Sequence, residues 1–564
     1  MGLVYKQLTK QMGRNKVFIA LLLLLTILTS LSFFFVEFSI DGNMVALNSL
    51  RSLSENQVQY KNALNSNVSL AYTFFISLVG LTAFVFIMFF YRFFRSSKEQ
   101  MGCLKSLGFK DKSLCAYFMV FVAVLSTIGA LFGLLGGYIL SSILIKANTR
   151  TYSVTGLVKG ISPISLVTGL VISTFVFCIV SFIGYSFVRG KEPGALISGK
   201  INPQNHSSTL RIANCIANVI PGKNKFPLRI ALRKPLAILL ILVGVIFFSV
   251  WFILGQSLNI SSQKVFNSQT IGYKYEFDTH YPKCSIAAVT GSELKYLDTK
   301  LELAVGGYHI KETIVGLYSL NELYQLQDAG GSILPVPSVG NIYVNPGLAD
   351  TYGVDVGDIL TIKIAGKSCN FTVTKIAVNA QTANIYVNAV ELSKIMGMSA
   401  GSYNGIWSMG QAKSGGSTIE KAQRIDDLKR NGVSNNTSAI INQVIGIVVG
   451  CILIFLALYV NFQDNTRDML ILNLMGYRPK EIRKMLIDVY RPIVCIFFLI
   501  TIIPSIFVAR SIQRYLSITT NDYMPFGTSI VVNLLVFVLL NIIYWLVQNV
   551  FSVGIKRTIK KETN

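Results

Sequence analysis

The sequence predicts a polytopic α-helical membrane protein. It places eight transmembrane helices in two four-helix repeats, with an α+β extracellular domain between helices 5 and 6. Three observations carry this. First, 52% of the 564 residues are hydrophobic and only 14% are charged, a composition that implies many membrane spans. Second, the formal net charge of +24 is unevenly placed. Residues 256–437 hold 15 basic and 15 acidic residues, and the remainder holds 36 basic and 12 acidic. A neutral insert is thus joined to a basic membrane part, and the charge reads as topology rather than as a nucleic-acid surface. Third, one short stretch occurs twice: KEQMGCLKSLGFKDKSL at Lys98–Leu114 and TRDMLILNLMGYRPKEI at Thr466–Ile482.

The eight spans are apolar runs at Val17–Glu37, Ala71–Phe94, Cys115–Ile145, Ile164–Val188, Leu236–Leu254, Ala439–Phe462, Pro492–Ala509 and Ser529–Phe551. Lys6, Lys10, Arg14 and Lys16 precede the first run, but no small-x-small cleavage site follows it. It therefore reads as a retained helix rather than a signal peptide. With the N-terminus inside, segments 1–16, 91–114, 189–235, 464–491 and 552–564 carry 29 basic and 8 acidic residues. Both termini and both copies of the repeat then face the cytosol.

Each set of four helices opens on a basic segment, MGLVYKQLTKQMGRNK or KNKFPLRIALRKP, expected as an interfacial amphipathic helix. The expected domains are a first half at 1–190 with a short extracellular loop at 39–70, a cytosolic linker and interfacial helix at 191–235, and helix 5 at 236–255. The extracellular α+β domain follows at 256–437 and the second half at 438–564. A parallel duplication of this kind arranges two bundles around an axis along the membrane normal. Gly129, Gly133 and Gly137 recur every fourth residue in the third helix, which permits close helix approach as a packing seam or a sliding contact. The corresponding run Pro492–Ala509 has no glycine.

Within the repeat, Met101 aligns with Met469, Leu104 with Leu472, Leu107 with Met475 and Gly108 with Gly476. Positions 101, 104 and 107 share one helical face. The glycines stand where a helix ends on a left-handed residue. Two ordinary charged loops at a membrane face need not repeat both features.

In the insert, Tyr273, Tyr275 and Phe277 alternate as a strand, and Ile342–Val344 leads through Asn345 and Pro346 into a capped helix closed by Gly353. Ile359–Ile364, Phe371–Val378 and Ile385–Val387 read as strands. Ser417–Glu420 reads as a capping box opening a charged helix. Cys284 and Cys369 are the two cysteines of the insert; they can form a disulfide or remain as buried free thiols. His206, His280 and His309 form no metal-binding pattern and read as structural. Gly366-Lys367-Ser368 lacks the upstream glycine of a phosphate loop, because Thr361 stands there. No catalytic residue, metal site or cofactor site is expected. The span centres carry almost no acidic residue, so an ion-coupled carrier is disfavoured.

The basic–Glu–x4–apolar–Lys–x–Leu–Gly–aromatic pattern of Glu99, Leu104, Lys105, Leu107 and Gly108, followed by Gly129–Gly137, resembles the FtsX-like permeases. These are the membrane subunits of the mechanotransmission class of ABC transporters, which includes MacB and LolC/LolE. Residues 98–140 carry the likeness best. Residues 466–508 match more loosely, with Arg467 where the family usually has glutamate, which sets equal coupling of the halves in question. The stretch Asn341–Val378 is similar to the family's extracellular domains.

The resemblance implies that a separate cytosolic ABC ATP-binding subunit, two copies per chain, docks on the inside loops. Glu99, Met101, Leu104, Leu107 and Gly108, with Met469, Leu472, Met475 and Gly476, would be coupling residues, the apolar ones pressed into the ATPase. The implied function is a permease subunit that couples the partner's ATP hydrolysis to movement of an extracellular domain, exporting or removing an amphipathic antimicrobial peptide or lipid. The alternative is a non-transporting mechanotransmitter acting on a cell-wall hydrolase or sensor kinase. Neighbouring reading frames discriminate the two. The implied location is a bacterial plasma membrane, with Lys-, Asn- and Ile-rich composition pointing to a Gram-positive cell.

Overall fold

Long apolar segments fold as helices because an α-helix satisfies its own backbone polar groups without water. The computed structural model describes residues 13–198, 231, 234–287, 289, 293–410, 415–520 and 522–563. Most of both basic segments expected to be interfacial helices lies outside these residues.

The first half comprises α1 (Lys16–Asn48), α2 (Glu55–Ser96), α3 (Lys98–Ser106), α4 (Asp111–Tyr152), α5 (Pro163–Tyr185) and the short α6 (Pro193–Ile197). Next comes α7 (Pro235–Thr270). The β domain then contributes β1 (Phe277–Ser285), β2 (Leu294–Val305), β3 (Tyr308–Leu317), β4 (Asn341–Val344), α8 (Pro346–Tyr352), β5 (Ile359–Ile364), β6 (Lys367–Ile376), β7 (Asn384–Asn388), α9 (Ala389–Ile395), β8 (Tyr403–Ser408) and β9 (Ser417–Glu420). The second half comprises α10 (Lys421–Asp464), α11 (Thr466–Leu474), α12 (Pro479–Leu486), α13 (Tyr490–Thr520) and α14 (Ile530–Thr563). Among the described residues eight helical segments are long and apolar enough to cross a membrane: α1, α2, α4, α5, α7, α10, α12 with α13, and α14.

The glycine stripe of α4 lies against α1. A Cβ on Gly129 would fall 2.0 Å from Thr26 Oγ1, one on Gly133 2.6 Å from Ser30 Cβ, and one on Gly137 2.7 Å from Phe34 Cβ. Glycine is required there because any side chain would force the two backbones apart. Packing continues between the halves, where Phe74 of α2 stacks on Trp251 of α7 at 4.6 Å.

Several helices overrun the bilayer. The 33 residues of α1 span about 50 Å, against a hydrocarbon core of about 30 Å. The segment 39–70, expected as a loop, is therefore helical except at 49–54. Ser54 and Gln57 form the capping box that starts α2. Likewise α7 runs on to Thr270 and α10 begins at Lys421, so the two ends of segment 256–437 are helical stems.

Among the described residues nine strands run β3-β7-β4-β6-β5-β2-β8-β1-β9, with β2 also paired to β3. One edge of β2 follows β3, and the other pairs with β8 near Leu294 and with β5 near Leu301. Six strands thereby close into a ring, and β8, β1 and β9 extend beside it. The alternating residues Leu301, Leu303, Ile314, Ile362, Ile364 and Phe371 fill the ring. A second cluster stacks aromatics, with Trp407 4.0 Å from Tyr324 and 4.2 Å from Tyr296.

Three local expectations are corrected. Tyr273 and Tyr275 precede β1 and are buried in the aromatic cluster. Ser417–Glu420 is a strand, because its backbone pairs with β1 and Thr418 Oγ1 bonds Thr279 Oγ1 at 2.9 Å. Cys284 and Cys369 are free thiols, and Cys284 is exposed. They sit on β1 and β6, separated by β5, β2 and β8. Four strand spacings measure about 19 Å along the sheet, whereas a disulfide needs Cα atoms within about 7 Å.

Candidate functional site

The repeated stretch folds twice into one device. Both α3 and α11 have nine residues. Each ends on a glycine with positive φ, +88° at Gly108 and +89° at Gly476. Phe109 N–H donates to Leu104 O at 3.2 Å and Gly108 N–H to Lys105 O at 3.0 Å; Tyr477 and Gly476 donate likewise to Leu472 O and Asn473 O at 3.1 and 3.0 Å. These paired bonds form a Schellman motif, which seals the last carbonyls and turns the chain back toward the membrane.

The structure turns much of the expected docking face inward. Met101 and Met469 are 0% exposed and Leu104 is 7% exposed, all within the membrane-domain core. Leu472 is partly buried against the same core. These four residues pack the two helices onto their own chain. The outward apolar groups are Leu107, at 73% exposure, and Leu474 at 84%, Met475 and Tyr477 at the helix tips, with Ile471 exposed within α11. The reason is geometric. Residues 101 and 104 lie within the helix over its core-facing side, whereas residue 107 is the C-cap at the turn. Glu99 is exposed in the first turn of α3, and Asp468 occupies the first turn of α11 beside Arg467. Both carboxylates lie at a helix N-terminus, where the dipole favours them.

The two copies are held differently. In the first half, α6 covers the back of α3, so a Cβ on Gly102 would meet Ile197 and Leu196. Lys105 Nζ pairs with Asp111 Oδ1 at 2.7 Å and donates to Val188 O at 2.9 Å, while Tyr185 Oη donates to the same Asp111 oxygen. In the second half, the turn between α12 and α13 is held by neighbouring helices. Asn461 Nδ2 donates to Leu486 O at 2.7 Å, Tyr544 Oη to Ile487 O at 2.6 Å, and Gln548 Nε2 to Asp488 Oδ1 at 2.5 Å.

Between the two devices lies a cleft of about 440 Å³, lined by Asn15, Phe93, Ser96, Gln100, Gln463 and Thr466. Arg92 bridges it, donating to Asp464 Oδ1 at 3.0 Å and Gln463 Oε1 at 2.8 Å. The Lys105–Asp111 and Arg92–Asp464 pairs escape sequence reasoning because their partners lie across a turn or in the other half. Among the described residues, no group of His, Cys, Asp and Glu converges as a metal site. His280 instead pairs with Asp298 at 2.8 Å.

Two membrane halves carrying one repeated helix–turn–helix device, with a β domain raised on overlong helices, define a duplicated polytopic membrane subunit. The profile of the FtsX-like permease C-terminal family matches residues 72–193 and 441–549. Both membrane halves are therefore similar to FtsX-like permease domains, a likeness that supports a membrane permease component of an ABC-type system. The family implies association with an ABC ATP-binding subunit and with the lipid bilayer. A comparison with curated proteins finds no match.

Proposed function

We propose that the chain couples ATP hydrolysis by a separate cytosolic subunit to movement of its β domain on the outer side of a bacterial plasma membrane. In this reading both helix–turn–helix devices lie in the cytosol and dock on two ATP-binding subunits, and the driven domain exports or removes an amphipathic peptide or lipid. The observation that carries the reading is the pair of Schellman-capped helices whose tips expose Leu107 and Met475, at 73% and 68%, from otherwise buried anchors. An exposed apolar tip on a rigidly held helix suits insertion into a groove of a partner.

The test is purification of the tagged chain with its native partners in mild detergent, followed by an ATPase assay. Two ATP-binding subunits per chain, with hydrolysis stimulated by an amphipathic peptide or lipid, is the expected result. Absence of any ATP-binding subunit would overturn the reading. A stoichiometric ATPase that co-purifies with a hydrolase or sensor kinase, without transport, would replace export with mechanical signalling.

A further inference from the structure

The second half touches the β domain through a contact that the fold builds carefully. Helix α8 belongs rigidly to the ring, since Leu348 is buried in its core. Its N-cap Asn345 accepts from Leu348 N–H at 3.0 Å and donates to Glu312 Oε2 at 2.9 Å. The far end of α8 rests on the end of α13. Arg514 Nε donates to Thr351 O at 2.9 Å, Thr351 Oγ1 and Ser517 Oγ lie 3.3 Å apart, and Tyr523 Oη donates to Asp350 Oδ2 at 2.6 Å. The segment after α13 folds back to complete the seat, with Gln513 Nε2 donating to Met524 O at 3.1 Å.

The opposite end of α13 begins at the turn stapled by Asn461, Tyr544 and Gln548, directly after α11 and α12. One 31-residue helix, about 46 Å long, thus joins the second docking device to the β domain. In the first half, α4 ends instead beside the stem α10, where Arg430 Nη1 donates to Ser153 Oγ at 3.0 Å.

We propose that α13 is a strut that carries displacement from the second docking device to the β domain, with Asp350, Thr351, Arg514, Ser517 and Tyr523 as its transmission contact. The two halves are then mechanically unequal. The second drives the domain through α8, and the first acts on the stems. Arg514 and Tyr523 are positioning residues, since they hold the domain rather than touch a substrate. The inference rests on the docking reading above.

The experiment uses the full chain with its ATP-binding subunits in lipid nanodiscs. It reads the ATPase rate and the nucleotide-driven change in distance between probes on the β domain and at the α14 terminus. Gly347 offers a lock, because its Cβ would lie 3.4 Å from Tyr523 Cβ, close to the roughly 3.5–4.5 Å of a disulfide, with the Asn345 side-chain oxygen, 2.9 Å away, shifting slightly to admit it. The pair G347C/Y523C should cross-link with or without nucleotide and keep both ATPase turnover and the distance change. The variant R514Q/Y523F should keep ATPase turnover and lose most of the distance change. Retention of the full change in R514Q/Y523F would overturn the strut, as would a lock that halts turnover until reductant is added. An unaltered chain that binds no ATP-binding subunit overturns the docking reading and the strut together, whereas turnover with an unaffected R514Q/Y523F overturns the strut alone.

Discussion

At the scale of single residues, burial separates side chains that the sequence treats as equivalent. Leu104 and Leu107 lie one turn apart on the same apolar stripe, yet one is in the core and the other in solvent. Leu104→Asp would bury an unpaired charge, at about 3–5 kcal/mol, and should lower the thermal stability of the purified chain. Leu107→Asp and Met475→Asp should leave stability within about 0.5 kcal/mol and lose co-purification of the ATPase. Glu312 supplies a pH signature. Burial pushes its carboxyl up to about 7, with the Asn345 bond opposing the shift. Between pH 4.5 and 7 the unfolded chain releases this proton while the folded domain keeps it. Stability therefore falls as pH rises through that window, by up to roughly 3 kcal/mol. Glu312→Gln should flatten this dependence, checked by melts of the β domain followed through Trp407 fluorescence. A steep fall retained in Glu312→Gln would assign the dependence elsewhere.

At the scale of elements, the α1–α4 crossing shows why spacing alone is insufficient. Gly133 meets Ser30 and the Leu31 backbone, whereas Gly80 in α2 has open space around a would-be Cβ. Gly133→Ala should therefore destabilise by about 1–3 kcal/mol through overpacking, despite alanine's higher helix propensity. Gly80→Ala, free of that clash, should be neutral or slightly stabilising. Equal melting temperatures for the two variants would remove the close-packing role from Gly133. The duplicated Schellman turn was legible in the sequence because glycine plus an aromatic at fixed offsets has a local cause. The strand at Ser417–Glu420 was not, because its Ser-x-x-Glu pattern also fits a capping box, and only pairing with β1, about 140 residues earlier, decides between them.

At the scale of the whole molecule, the halves meet through the Phe74–Trp251 stack and the Arg92–Asp464 pair. The ion pair is partly exposed and should contribute little to stability, at most about 1 kcal/mol. Its expected effect is on spacing. Arg92→Ala should widen the distance between probes on α3 and α11 without lowering the melting temperature appreciably. An unchanged distance would mean that core packing alone sets the gap. Aligned positions differ chemically here: Lys105 corresponds to Asn473, and Asp111 to Pro479. A duplicated topology therefore carries two different anchoring schemes.

The sequence by itself determined the eight apolar spans, the duplication, the neutral insert and the glycine-terminated helices. Each depends on composition or on residues within a few turns of one another. Tertiary structure alone decided which face of α3 and α11 is buried, which cysteines can meet, and where the β domain rests on α13. Those outcomes depend on which distant surfaces pack together, because removing apolar area from water rewards the whole assembly rather than any local pattern.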